Sequence, residues 1–527
     1  MTANPIIPEF MMYSQGLEPS EEEQLESRMI SERRTNKDPF MQFTDVLLEF
    51  VGSGEWKNRS DAFLAMCAKA SYLRGKYGFN QVLARGTSNL ACKGYAASSY
   101  CRQSLDPRWL NNLRNITNQA WQAKDYVVFA ELSGELSAVL IDLGYTDHAM
   151  EVASESIERV TKESSKNQDI RTKVQAALLR ARIIQAYIAS IAISREEAFI
   201  RLDSAEDTAR HLNHQLALTD ITYNRARILE ERYEYERAKT LIAVAINKYE
   251  NMGYLAGLAD AKNTEGVILL DIGQLQDARD TFEELLIIQQ QLNNQVGLAK
   301  TLINVGEIDR ALGQIDQMET YNRRALEISH EAEYVIGIAT ATANLGDVEL
   351  RKGNIAEASD FYEQSIKLAE DAGMKSFLVL ALFLTGDAHF LTGEFDDAIT
   401  FYKRAREVSD DIGWPLSAFN ADMSVLVTQW IKEEEPDPEI VKSVEELMGK
   451  SEDWYSSSDS DLMREVRRRI YDDSSIESDL CVFFDGERNF ECRVERKALS
   501  KECFGNLYWM GSLCPYFKEF LARFYGQ

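Results

Sequence analysis

Five histidines, seven cysteines and a forty-residue rhythm of amides and carboxylates are the residues of this 527-residue chain whose chemistry invites attention. The histidines are His148, His211, His214, His330 and His389. None stands with a cysteine or carboxylate at a spacing that suits one metal ion, and His211 with His214 reads as a cation pair at a helix C-terminus. Cys481, Cys492, Cys503 and Cys514 are each eleven residues apart. Zinc sites usually take cysteines in close pairs that one turn presents together, so buried thiols fit this spacing better than a metal centre. No phosphate loop, nucleophile elbow or dinucleotide fingerprint appears. The expectation is a chain without catalysis, metal or cofactor.

The rhythm is more informative. One column reads Asn224, Thr264, Asn304, Asn344 and Leu384; a second, three residues further on, reads Arg227, Val267, Glu307, Asp347 and Asp387. Three residues separate neighbours on one helix face, so the two columns form adjacent rungs. A carboxamide both donates and accepts, so a ladder of asparagines can hold an extended peptide backbone without reading its sequence. Three successive acids would favour a ligand with lysine or arginine at one end. The plainer reading is that these acids are solvated or paired with Arg310 and Arg351.

The elements that must carry these rungs are legible in the small residues. Gly266, Gly306, Gly346 and Gly386 form a column, with Gly273, Gly313, Gly353 and Gly393 seven residues later. Ala198, Ala238, Ala278, Met318, Ala358 and Ala398 form another, followed at seven by Ala205, Ala245, Leu285, Ala325, Ser365 and Ala405. A fixed period of this size marks a solenoid, whose units bury their apolar faces by stacking on one another. In each unit a glycine separates two helical patterns and ends the first in the left-handed conformation. Within 295–331 the expected helices are Gln295–Leu312 and Asp316–His330. The interior glycines cost about 1 kcal/mol each against alanine. Close approach of the second helix's alanine column would repay that, with Phe282, Tyr362 and Tyr402 filling the space between units.

These residues resemble the tetratricopeptide repeat in its long, forty-residue variety, over about 125–413. Tyr233, Met318, Asn322 and Ala226 depart locally from the pattern. The resemblance implies an all-α fold, an α-solenoid of antiparallel helix pairs, with the first helices lining a concave groove. Long-repeat relatives such as kinesin light chain and the spindle-orientation adaptors carry an asparagine ladder there. By that likeness Asn224, Asn304, Asn344, Arg227, Glu307, Asp347 and Asp387 are the candidate site. The implied function is a non-catalytic adaptor that binds an extended or partly basic segment of a protein partner. The alternative is a signalling regulator, either peptide-responsive or acting on a G-protein α subunit through the C-terminal region. DLMREVRRRIYDD, residues 461–473, weakly resembles the GoLoco motif but lacks its acid-glutamine-arginine triplet.

Around the array, residues 1–38 read as a flexible segment and 39–124 as a helical bundle or degenerate repeats, with Ser60 or Asp61 capping a helix. The array runs over 125–431, one unit carrying about nine extra residues as longer helices or as a loop near Lys162–Asp169. A charged linker with helices covers 432–475, and 476–527 forms a small cysteine-containing module with a hairpin turn at Asp485–Gly486. The apolar content of 45% suits a folded chain, and the net charge of −27 disfavours nucleic acid or an anionic membrane as partner. Without a signal peptide or an apolar run of membrane length, a reducing cytoplasmic setting is expected.

Overall fold

The computed structural model describes residues 6–443, with breaks at 33–36, 105–106, 143–144, 166–167, 193, 231–233, 413–414, 433 and 436, together with 484–485 and 491–492. Two compact units divide between Thr301 and Leu302. Among the described residues no helix is long and apolar enough to cross a membrane.

Unit 1 opens with a 3-10 helix, Pro8–Gly16, and six helices: α1 Pro19–Glu32, α2 Pro39–Gly52, α3 Asp61–Leu73, α4 Tyr77–Gly86, α5 Leu90–Ser104 and α6 Pro107–Gln122. Helix pairs follow: α7 Tyr126–Asp142 with α8 Thr146–Ser164, α10 Leu179–Ala192 with α11 Arg195–His211, α12 Gln215–Glu230 with α13 Tyr235–Met252, and α14 Leu255–Asp271 with α15 Leu275–Leu292. The extra residues of the irregular unit form a helix of their own, α9 Gln168–Ala177. Helix α16, Gln295–Ala311, contains the division. Beyond it come α17 Ile315–Glu331, the pair α18 Val335–Lys352 and α19 Ile355–Asp371, the pair α20 Lys375–Thr392 and α21 Phe395–Asp411, and α22 Pro415–Ile431.

The repeat is an α-solenoid of antiparallel pairs, each helix packing on its partner, with first helices also touching the next first helix, as α12 does α14 and α18 does α20. The six residues from Ala198 to Ala398 in the small-residue column are fully buried. The turn glycines Gly273, Gly313, Gly353 and Gly393 have φ of 76°, 69°, 82° and 84°, the left-handed region that a residue with a Cβ enters only at a cost.

The interior glycines make room chiefly for a side chain of the second helix, and at Gly346 also for the Ala358 carbonyl of the alanine column, 3.2 Å from where a Cβ would stand. A Cβ on Gly266 would stand 2.6 Å from the Phe282 ring, on Gly346 2.7 Å from Tyr362, and on Gly386 2.6 Å from Tyr402. In the α16–α17 repeat the partner of Gly306 is the Asn322 amide, also at 2.6 Å. The ring therefore packs within its own repeat, against the first helix.

Residues 6–32 depart from the expected flexible lead-in. Phe10 and Leu25 are fully buried, Ile6, Met12 and Met29 nearly so, and the 3-10 helix packs on α3, α9 and α12. Its apolar residues recur closely enough to anchor a short helix despite the surrounding prolines and glutamates. Glu9 reaches the start of α12, where its carboxylate accepts from the backbone N–H of Gln215 at 2.7 Å and of Leu216 at 3.3 Å. A negative group is favoured at that helix end. Beneath it, buried Glu131 on α7 accepts from Lys69 Nζ and from the Tyr13 and Tyr95 hydroxyls. Ser60 caps α3 as expected, its hydroxyl accepting from Phe63 N–H at 3.2 Å.

Toward the C-terminus, Phe484 pairs with Cys492 and Asp485 with Glu491 in an antiparallel ladder. Asp485 thus lies in a strand, and the connection is longer than the expected two-residue turn. The arginine-rich segment 461–473, Cys481, Cys503 and Cys514 lie outside the described residues.

Gly346→Ala is expected to destabilise the fold by about 1–3 kcal/mol through overpacking against Tyr362. A denaturant midpoint equal to that of the unaltered chain would refute the ring contact as the reason for this glycine.

Candidate ligand-binding site

The first helices place Asn224 and Thr264 on buried positions and Asn304, Asn344, Glu307, Asp347 and Asp387 on half-buried ones. On α16 and α18, Asn344 donates from Nδ2 to Glu307 Oε1 at 3.0 Å and to Asn322 Oδ1 at 3.1 Å. Glu307 also accepts from Arg310 Nε at 2.7 Å, and Asp347 from Arg351 Nε at 2.9 Å. Asn304 is half-buried on the same face of α16 and has a partner within the chain. Two of the three acids are thus ion-paired along their own helix.

Asp387 on α20 behaves differently. It accepts from the Tyr402 hydroxyl at 2.7 Å. Burial pushes its carboxyl up to about 7, against the Tyr402 hydrogen bond that holds it down and with the Asp347 charge adding to the rise.

In unit 1 the column residues line open space. Asn224 on α12 donates to the Asp220 carbonyl of its own helix at 2.8 Å, and the Arg227 guanidinium stacks 3.7 Å from the Tyr187 ring centre. Both border a hollow of about 110 Å³, which shares Arg102, Asp142, Tyr223, Arg227 and Asp260 with a cavity of about 350 Å³. The larger cavity lies among α12, α14 and the start of α16, with Arg102 of α5 and Asp142 of α7 on its wall. Its size falls at the lower end of small-ligand sites.

The charges here are arranged in layers. Glu135 lies 3.7 Å from Arg102 and 2.6 Å from Arg180. Asp220 accepts from the Tyr249 hydroxyl at 2.7 Å, and burial pushes its carboxyl up to about 6, with Arg180 and that hydrogen bond pulling it back. Burial likewise raises the Asp260 carboxyl, partly offset by Arg102 and increased by Asp142.

The columns point to Asn224 and Arg227 but not to Arg102, Asp142 or Asp260. The first two of these lie outside the regular register, and Asp260 precedes the Thr264 rung by one helical turn. The fold also gathers His389, Glu394 and Asp397, whose ligand atoms lie within 4.8 Å of one another at the α20–α21 turn. His389 Nδ1 is 2.7 Å from Glu394. Both acids are exposed, and surface acids gather in this way without any ion.

These pairs, with their glycine turns and small-residue contacts, define an α-solenoid repeat protein. The repeats within 297–411 are tetratricopeptide repeats: the family model described as "Tetratricopeptide repeat" matches residues 297–371 and 337–411. No curated protein matches the sequence. Among solved structures, the apo quorum sensor NprR from B. thuringiensis is 16% identical with a TM-score of 0.48, over 65% of this chain and 97% of that one. Aspartyl phosphate phosphatase F from Bacillus subtilis is 14% identical with a TM-score of 0.45, over 72% and 94%. A Rap protein complexed with competence and sporulation factor is 14% identical with a TM-score of 0.43, over 61% and 98%.

Because the folded chain holds the Asp387 proton more tightly than the unfolded chain, this group's contribution to stability is full below its ordinary 3.8 and lost as pH rises through about 7. Asp387→Asn carries no such titration. Its melting temperature relative to the unaltered chain is expected to rise between about pH 4 and pH 8. A difference that stays flat across that range would remove Asp387 as a titrating group.

Proposed function

We propose that this chain is a non-catalytic scaffold that binds a segment of another protein along the polar face of its first helices. The observation that carries this reading is the cavity of about 350 Å³ in unit 1, bordered by first helices and lined by side chains rather than filled by them. The half-buried Asn304 and Asn344 give unit 2 a corresponding amide-bearing face. Such a face supplies donors and acceptors that match a peptide backbone. Ion pairing of Glu307 and Asp347 weakens the case for those two acids as the basic-ligand rung and leaves the amides as its main support.

The experiment is quantitative affinity purification with the unaltered chain and with Asn304→Ala/Asn344→Ala, checked for an unchanged melting temperature. Loss of the principal partner from the double variant is the expected result, and undiminished capture overturns the assignment. A chain truncated before residue 451 separates the scaffold from a regulator that works through its C-terminal region. The scaffold keeps its partner on truncation; the regulator loses its effect.

A further inference from the structure

The cavity wall in unit 1 is divided between charges that are satisfied and charges that are not. Arg102 and Arg180 share Glu135, Arg227 lies on the Tyr187 ring, and Lys300 and Glu230 each have a partner in the chain. Asp142 and Asp260 differ. Both are exposed to the cavity, and among the described residues neither carboxylate has a hydrogen bond or ion pair, although the Asp260 backbone carbonyl accepts from Tyr223 and Thr264. They sit on different helices, α7 and α14, line the same two hollows, and the Asp142 charge opposes ionisation of Asp260.

A second group is unspent. Tyr254 is 3% exposed and lines the smaller hollow beside Asp142 and Asp260, yet its hydroxyl has no hydrogen-bond partner among the described residues. The ring is buried while the hydroxyl opens on the hollow, so an occupant there can bond to it. Burial pushes the Tyr254 phenol well above its usual range, with Arg180 and Arg102 opposing, so it remains a neutral donor and acceptor.

The two carboxylates without a partner set the sign of the occupant. Arg102, Arg180, Arg227 and Lys300 contribute four positive charges around the two hollows. Asp142, Asp220, Glu230 and Asp260 contribute four carboxylates, so the lining is balanced as a whole and the negative demand is local to the two carboxylates without a partner. A single monovalent cation with several N–H donors satisfies two carboxylates and a phenol oxygen together, and charge-assisted bonds of this kind are the strong ones.

We propose that this cavity recognises a primary ammonium group, held between the Asp142 and Asp260 carboxylates with the Tyr254 hydroxyl as a further acceptor. The ammonium is carried by the bound protein segment, as a lysine side chain or as a free amino terminus. This assignment rests on the reading of the first helices as the segment-binding face. It moves the basic-ligand site from the acid rung at Glu307, Asp347 and Asp387 to a part of the chain where two carboxylates lack partners.

The test is calorimetric titration of the full chain with three small probes. Nα-acetyl-lysine methylamide carries the ammonium on a side chain, alanyl-alanine amide carries it at an amino terminus, and Nα,Nε-diacetyl-lysine methylamide lacks it. One of the first two is expected to bind saturably, which identifies the source, and the diacetyl probe is expected not to bind. Asp142→Asn and Asp260→Asn should each weaken the binding probe at least about tenfold, and Tyr254→Phe less, since it removes one neutral acceptor. Equal binding of the diacetyl probe, absence of saturable binding by either ammonium probe, or titrations indifferent to both Asp variants would overturn the proposal. Should an Asp variant fail to fold, the Tyr254→Phe and diacetyl arms still decide. Failure of the scaffold reading shows elsewhere, as partner capture indifferent to Asn304→Ala/Asn344→Ala, with the probe titrations unaffected.

Discussion

A hydrogen atom in place of a methyl group, repeated along the first helices, determines how closely the two helices of each repeat approach. Gly266, Gly346 and Gly386 each accept the edge of a ring from the second helix, Phe282, Tyr362 and Tyr402, at a distance no Cβ could share. Gly306 does the same for the smaller Asn322. The close contact offsets the helix propensity lost at glycine. It also fixes the rotation of each first helix, because the glycine must face the ring. The residues two before and one after it are then carried to a common side. The polar columns are thus a by-product of packing, and their regularity alone says nothing about a ligand.

Much of the architecture was readable because the constraints repeat. Helix boundaries in 295–331 fall within a residue of expectation, since a turn glycine in the left-handed region and a buried small residue bracket each helix. The N-terminal region was not readable in the same way. Its burial depends on apolar residues in segments too short to show a period, and on Glu9, whose partners are the backbone amides of a helix 206 residues away. The candidate site was legible in part. Asn224 and Arg227 come from the repeat, whereas Arg102 and Asp142 reach the same cavity from helices outside its regular register. Periodicity cannot signal a residue that occurs once.

The two units handle acid differently. In unit 2, Glu307 and Asp347 are paired with arginines three and four residues along the same helix, an arrangement available to any helix surface. In unit 1, the acids around the cavity belong to different helices, and their nearest arginines are already committed to Glu135 or to an aromatic ring. A sequence shows the first kind of pairing at a glance. It does not show the second, which arises only when distant helices converge.

The Glu9 contact bears on how the chain is made. During synthesis the residues of the 3-10 helix emerge long before α12, and at 5–20 residues per second the interval is roughly 10–40 s. Throughout that time Phe10, Met12 and Tyr13 lack the α9 and α12 surfaces that later help to cover them, and α12 has no start to offer Glu9. The segment is therefore seated only long after it has been translated. Its apolar side chains remain open to chaperones or to neighbouring nascent chains until more than two hundred residues have followed.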